Sequence, residues 1–311
     1  MMTDFKVCFV GYGSIAKRHI SNLSALFANE LKQNIKIDLL RHHNSDESII
    51  GINNIYYYHN ELPNDYDAIF ITNPTVSHYE TLVQLHSKAQ NFFIEKPVFT
   101  LEQSDCTLPD LSKKICYVAC PLRYTAVIQY IKEFIKQNNV YAVRVISTSY
   151  LPDWRPSSDY RKSYSANKEL GGGVATDLIH EWDYLQYLFG FPQIVYSSKQ
   201  KFSKLEINTE DSATYMADYP NMTVELHLDY FGKVTMRELL LITENDTLRC
   251  DLVKQRIEFL KSGKSLDFDA ERNLYQTEEL RHFLNIINRK AVNTNPIELA
   301  RKVLKLTNGE I

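Results

Sequence analysis

The sequence predicts an α/β fold in two parts: a doubly wound parallel sheet, then an α+β domain built on an open, mostly antiparallel sheet. Three observations predict it. Strand and helix signals alternate over the first third of the chain, the pattern of crossover units in a parallel sheet. A glycine turn, "VGYGSIAKRH", sits between the first apolar run and the first helical segment. After Arg123 the alternation gives way to short strands joined by turns such as "YPNM" and "TENDT". At 311 residues the chain exceeds one ordinary core, so two domains are expected, residues 1–121 and 122–311, with the terminal helix free to pack back on the first.

The elements follow in order. "KVCFVGYG" is a buried strand ending in glycines, and "SIAKRHISNLSALFANEL" carries helical periodicity. "IKIDLLRHH" and "YDAIFITNPT" are strands, "VSHYETLVQLHSKA" a helix, "NFFIEKPV" a strand, and "KICYVACPLR" the strand that closes the first sheet. The second part opens with a helix, "TAVIQYIKEFIKQNN", and a strand, "YAVRVISTSYL". A polar, aromatic loop leads into "GGGVATDLIHEWDYLQYLFG", read as three glycines and one helix. Six strand segments come next, "QIVYSSKQKF", "DSATYMADYP", "MTVELHLDYFG", "RELLLITEN", "DTLRCDL" and "RIEFLK", and two helices, "TEELRHFLNIINRK" and "PIELARKVLKL", end the chain.

Composition narrows the function. A net charge of −3 gives no general attraction to nucleic acid or anionic membrane. The start lacks the layout of a signal peptide, and no apolar run is long enough to span a bilayer. Five scattered cysteines point to a reducing, cytoplasmic setting rather than a disulfide framework, and Cys116 and Cys120 read as packing in a buried strand. No histidine or cysteine spacing suggests a metal site.

Gly11, Gly13 and Ala16 have the spacing of the dinucleotide fingerprint and the strand–turn–helix context that its mechanism requires. Gly11 permits the tight turn, Gly13 admits the pyrophosphate, Ala16 keeps helix and strand in contact, and the helix N-terminus attracts phosphate. The first domain is therefore expected to be a Rossmann fold holding a nicotinamide dinucleotide. NAD-binding chains usually place an acidic residue at the end of the second strand, for the ribose 2′-hydroxyl. Here Asp38 lies inside that strand and is expected to face away, while Arg41, His42 and Ser45 occupy the tip. A guanidinium there suits a 2′-phosphate, so NADP is favoured over NAD.

"FFIEKPVFT" puts Glu95, Lys96 and Pro97 at the end of a buried strand, on the side where an open parallel sheet binds ligand. A lysine there lies near the nicotinamide, whose cationic oxidised form favours a neutral amine able to exchange a proton. Further on, Asp177, His180 and Asp183 recur at intervals of three, a stripe along one helix face. Oxidation of an alcohol requires a base for its hydroxyl proton, and His180 is the natural one. Asp177 would orient it or the substrate hydroxyl, and Lys96 would stabilise an alkoxide-like oxygen. Gly171, Gly172 and Gly173 would let the backbone pass close to cofactor or substrate.

"VGYGSIAKRH", "DAIFITNPTVSHYE", "IEKPV" and "GGGVATDLIHEWDYLQYLFG" occur in the order found in the Gfo/Idh/MocA family, the relatives of glucose–fructose oxidoreductase and inositol dehydrogenase, which this chain resembles over nearly its whole length. The resemblance implies hydride transfer between a nicotinamide cofactor and a carbinol of a sugar or polyol. It implies Lys96, Asp177 and His180 as the catalytic set, although the interval from Asp177 to His180 is three residues where the family usually has four. It extends the cofactor set to Gly11, Tyr12, Gly13, Ser14, Ile15, Arg41, His42, Thr72, Asn73, Pro74, His78, Glu95 and Lys96. It also implies a homo-oligomer, dimer or tetramer, formed through the second domain's sheet.

The loop "LPDWRPSSDYRKSYSANKEL" offers aromatic faces for sugar rings and guanidinium groups for carboxylate or phosphate, in Trp154, Arg155, Tyr160, Arg161 and Tyr164. Arg123 is a further pocket candidate. An anionic sugar, such as a nucleotide-linked sugar or a sugar acid, is the expected substrate, and the loop is similar to family members of bacterial surface-glycan biosynthesis. Two other readings stay open: a glycosidase- or epimerase-type enzyme that retains its nicotinamide, and a non-catalytic nucleotide-binding sensor.

Overall fold

The computed structural model describes residues 4–41 and 49–311. The chain divides into two compact units, one of residues 1–119 and 276–301, the other of residues 120–275 and 302–311.

The first unit holds a six-stranded, all-parallel sheet. Its strands are β1 (Phe5–Val10), β2 (Ile35–Leu40), β3 (Asn54–Tyr56), β4 (Ala68–Ile71), β5 (Asn91–Ile94) and β6 (Ile115–Val118), in the order β3-β2-β1-β4-β5-β6. This is the doubly wound order, and the crossover connections reverse between β1 and β4. Two helices, α1 (Ser14–Leu26) and α2 (His78–Leu85), run in those crossovers, and α1 passes into a π-helical turn over Phe27–Leu31. The central strands are apolar without alternation, as burial on both faces demands. In register, Phe9, Phe70 and Phe93 stack across β1, β4 and β5 with ring centroids 4.4 and 5.0 Å apart. Phe283 meets Phe70 and Phe93 edge-on, which fixes the late segment 276–301 onto this core.

The second unit is built on an eight-stranded sheet. It begins with α3 (Ala126–Phe134), capped by the Thr125 hydroxyl, which accepts from the Ile128 N–H. Then come β7 (Val140–Tyr150), α4 (Val174–Asp177), α5 (His180–Phe189), β8 (Ile194–Gln200), β9 (Ser212–Asp218), β10 (Thr223–Asp229), β11 (Phe231–Thr243), β12 (Thr247–Asp251), β13 (Arg256–Phe259) and β14 (Ser265–Asp267). The sheet order is β14-β13-β12-β11-β7-β10-β9-β8, and only β7 and β10 pair in parallel. Trp182, Tyr184, Leu185 and Leu188 of α5 are buried, with the Trp182 ring edge-on to Tyr215 of β9 at 5.2 Å. On the other side of the sheet large side chains such as Tyr196 and Met216 stay exposed. Two further helices, α6 (Arg272–Ile287) and α7 (Ile297–Leu306), close the chain.

Three expectations need correction. The single helix expected after the glycines is two, because Leu178 (φ −94°, ψ 33°) leaves the helical region and interrupts the hydrogen-bond ladder. The strand expected at "RELLLITEN" starts earlier, at Phe231, and β3 and β14 are short strands that sequence reading missed. Cys120 lies beyond the strand that holds Cys116, although both thiols are buried and neither forms a disulfide. No helix of the described residues is long and apolar enough to cross a membrane.

Candidate functional site

The first unit presents a dinucleotide-shaped cradle. Gly11 adopts φ +88°, and a Cβ there would lie 2.9 Å from the Asn73 Cα, so only glycine fits. Gly13, at the N-cap of α1, is exposed, and a Cβ placed on it meets nothing within 4 Å. The first turn of α1 carries no side-chain cap and no acidic residue, which leaves its N–H groups to a ligand. Ser14 is exposed, Tyr12 and Ile15 are half-buried, and Lys17 Nζ lies 4.8 Å over the Tyr12 ring. These features fit a dinucleotide: space at Gly13, unsatisfied donors behind it and no competing carboxylate.

The neighbouring strand ends brace this cradle more than they open onto it. The Thr72 hydroxyl donates to Val10 O at 2.9 Å, which locks β4 against the glycine turn. Asn73 Nδ2 donates to Thr81 Oγ1, but its Oδ1 is buried without a partner, an acceptor left over for a ligand. Pro74 is exposed. His78, expected to touch cofactor, is 1% exposed, with Nε2 2.9 Å from Asn73 O and Nδ1 3.0 Å from Pro97 O. Burial pushes its pKa below the ordinary value. A neutral imidazole donates to one of these two carbonyls, and the ring packs between the loops that carry them.

Arg41 follows the last residue of β2 and is half-buried, with its N–H bonded to Tyr56 O. Asp38 is buried and accepts from Tyr66 Oη at 2.8 Å and Asn54 Nδ2 at 2.9 Å, so its carboxylate is already engaged. His42, His43 and Ser45 lie outside the described residues.

At the end of β5 the Lys96–Pro97 peptide is cis, and Lys96 is half-buried. Glu95 Oε1 lies 2.6 Å from His19 Nε2 of α1, and Oε2 accepts from the Lys96 N–H at 3.2 Å. Burial alone would raise the Glu95 carboxyl. The His19 hydrogen bond and the charge interaction with His19, followed by that with Lys96, outweigh it and hold the group below the usual carboxylate range. Each oxygen of Glu95 thus has a partner within the protein.

In the second unit the expected stripe of Asp177, His180 and Asp183 is divided by the break at Leu178. Asp177 ends α4, is buried, and accepts from the Ser165 and Tyr230 hydroxyls, the latter at 3.0 Å. Burial, and then the Asp177 carboxylate, push the Tyr230 phenol well above its ordinary pKa, so it stays a donor. His180 opens α5 and is half-buried. Asp183, one turn on, belongs to a different contact: Arg123 Nε and Nη2 bind its two oxygens at 2.8 and 2.7 Å. Arg123 is 2% exposed, so the expected pocket residue is a structural partner of Asp183.

The three glycines have an internal explanation. Gly171 and Gly173 adopt φ +83° and +126°. A Cβ at Gly172 would lie 2.1 Å from Tyr164 O, and one at Gly173 2.4 Å from Glu210 Oε1. The crowding comes from the protein's own loop. Glu210, which sequence reading missed, accepts from Ala175 N at 3.2 Å and closes the start of α4. Only its place before β9, far from the motif, could have been seen in the sequence.

The aromatic loop is mostly tied down. Trp154 Nε1 donates to Ser149 Oγ at 2.8 Å, Tyr160 Oη accepts from Glu206 N, and Tyr164 Oη donates to Gly171 O at 2.9 Å. Arg161 is paired with Asp159 and Glu206, against its expected grip on a substrate anion. Arg155 is exposed, and Trp154 is 38% exposed.

Comparison with known proteins agrees with this architecture. The family description "Oxidoreductase family, NAD-binding Rossmann fold" matches residues 5–117, and "GFO/IDH/MocA C-terminal domain" matches residues 128–242. The "Uncharacterized oxidoreductase sll0816" of Synechocystis is 26% identical over 153 residues, 46% of this chain and 41% of that one, so the match spans less than half of that relative. Among solved structures, levoglucosan dehydrogenase in complex with NADH and levoglucosan is similar with a TM-score of 0.84 at 14% identity, over 99% of this chain and 96% of that one. The WlbA dehydrogenase of Bordetella pertussis, in complex with NADH and UDP-GlcNAcA, is similar with a TM-score of 0.80 at 16% identity, over 99% and 95%. Two matched regions, a parallel sheet in doubly wound order and a glycine turn at its first crossover identify the chain as a member of the Gfo/Idh/MocA family of oxidoreductases.

Proposed function

We propose that this protein transfers hydride between a nicotinamide cofactor and a carbinol or carbonyl of a sugar derivative, with Lys96, Asp177 and His180 as the catalytic set. The observation that carries the reading is the open, uncapped turn at Gly13 in the same unit as Lys96 at the end of β5. The cofactor, held by Gly11, Gly13, the α1 N–H groups and Asn73, supplies the hydride acceptor or donor. His180 takes the substrate hydroxyl proton or returns it, Asp177 is an orienting acceptor, and Lys96 steadies developing negative charge on the substrate oxygen. Arg41 beyond β2, with Asp38 already engaged by Tyr66 and Asn54, supports NADP over NAD.

The substrate class follows from the loop. Arg155 is exposed beside the half-exposed indole of Trp154, which suits a sugar ring bearing an acid group. The nucleotide-linked sugar acid printed for the Bordetella dehydrogenase supports the same class. We also propose a homo-oligomer formed through the sheet face that carries Tyr196 and Met216.

Titration of the purified chain with NADP and NAD, followed by an absorbance screen at 340 nm over nucleotide-linked sugar acids and free sugars, tests the reading. Lys96→Met and His180→Asn should each lower kcat by about 10²–10⁴-fold while dinucleotide affinity stays within a few-fold. Arg41→Ala should weaken NADP at least tenfold and leave NAD unchanged; unchanged NADP affinity would remove the NADP assignment.

A further inference from the structure

We infer that Glu181 and Arg237 are positioning residues for the base: their buried ion pair, together with that of Asp183 and Arg123, fixes the rotation of the first turn of α5 and so the heading of His180. The inference rests on the reading of His180 given above and concerns the second unit alone. The need for such a tether arises at Leu178. Its backbone leaves the helical region, so α4 does not pass its orientation on to α5 through a continuous hydrogen-bond ladder. His180 is the first residue of α5, and Ile179 before it offers no side-chain cap. Helix ends fray unless their groups are tied down. A base in that position would swing with the end of its helix.

Two ties hold it. Arg237 Nε donates to Glu181 Oε1 at 2.7 Å, and Arg123 binds both oxygens of Asp183. With 3.6 residues per turn, Glu181 stands about 100° to one side of His180 around the helix axis and Asp183 about 60° to the other. A rotation of the helix end in either direction therefore strains at least one of the two pairs. The new anchor is firm, because Arg237 lies in β11, an interior strand hydrogen-bonded to β7 on one side and β12 on the other. Glu181 is 0% exposed. Burial works against the Arg237 guanidinium, yet the charge of Glu181 lifts its pKa above the ordinary value, so the cation persists. Stability alone does not account for this pair. Apolar side chains of similar volume often fill such a position at equal or lower free energy. Here Glu181 Oε2 and, one turn on, Tyr184 Oη are also buried without hydrogen-bond partners. What an apolar contact lacks is direction: it permits sliding and rotation that a charged hydrogen bond between a helix end and an interior strand does not.

The test is made on the full chain with NADP and a nucleotide-linked sugar acid, and reads kcat, KM, dinucleotide Kd and melting temperature. Glu181→Gln and Arg237→Met each break the pair. Both should lower kcat about tenfold or more, while KM for the sugar and the dinucleotide Kd stay within threefold of the parent. Arg237→Lys keeps a cationic donor for Glu181 Oε1 and should return kcat to within threefold. Loss of one partner strands a buried charge, so a single variant can fail to fold. The double variant Glu181→Leu with Arg237→Met then carries the test, since it removes the tether and both charges together. It should melt close to the parent and still show the tenfold loss of kcat. A folded single variant, or the double, with kcat within twofold of the parent overturns the inference while leaving the reading of His180 intact. A double variant that does not fold assigns the pair to stability and overturns the inference as well. His180→Asn with the parent's kcat overturns the reading of His180 and the inference with it.

Discussion

Arg123 and Asp183, 60 residues apart, form a bidentate ion pair with donor–acceptor distances of 2.8 and 2.7 Å, inside the second unit. Neither partner has ready access to water, with side-chain exposures of 2% and 11%. Removal of one partner strands a buried charge. Arg123→Ala or Asp183→Ala should therefore cost about 3–5 kcal/mol of stability, read by urea denaturation. The apolar pair Arg123→Met with Asp183→Leu should recover most of that loss. If either single variant keeps the parent's midpoint, the pair is not structural.

The glycines separate into two kinds. Gly13→Ala meets no atom and should leave the melting temperature within a degree or two of the parent, while dinucleotide affinity falls at least tenfold. Gly173→Ala faces both φ +126° and the Glu210 carboxylate, and strain alone should cost about 1–3 kcal/mol. Gly172→Ala, blocked by a backbone carbonyl, should be at least as damaging. Calorimetric melting and cofactor titration of the three variants check this order.

Asp177 depends on a remote strand for its orientation. Tyr230, directly after β10, donates to it at 3.0 Å, and Tyr230→Phe deletes that donor without changing the ring. The expected loss is about 1.5–3 kcal/mol of stability, with kcat lowered and dinucleotide Kd unchanged. A kcat equal to the parent's would show that this bond does not serve the chemistry.

Asp229 predicts an acid limb. Burial would raise its carboxyl, but His227, Thr148 and the N–H groups of Gly232 and Phe231 hold it below the ordinary carboxylate range. A depressed folded pKa contributes stability that is complete above the unfolded value of about 3.9 and is lost as pH falls through the folded value. Asp229→Asn should be less stable than the parent at pH 6, and the gap should narrow below pH 4. A gap that stays constant down to pH 2.5 would contradict the assignment.

The local signals were legible where chemistry and backbone coincide. Gly11 needs a positive φ, Gly13 needs empty space, and both needs are written in residue type and spacing. The EKP strand end was legible because a buried apolar run stops at charged residues. The fracture at Leu178 was not, since "VATDLIHEWD" has unbroken helical character, and the contacts of Asp177 with Ser165 and Tyr230 just before the break are distant in sequence. Arg123, Arg161 and His78 have partners within the protein that residue type alone does not announce. Each carries a ligand-like functional group, and whether it meets a ligand or another part of the chain depends on partners far away or unmarked in sequence: Asp183, Glu206 and two backbone carbonyls.

The two-residue gap between α4 and α5 has a bearing on how such a protein can change. Because Asp177 takes its aim from a sheet strand and an incoming loop, while His180 rides on a separate helix anchored by Trp182, the two groups can drift independently over generations. A rebuilt loop can re-aim one and leave the other, with the packing beneath it, undisturbed.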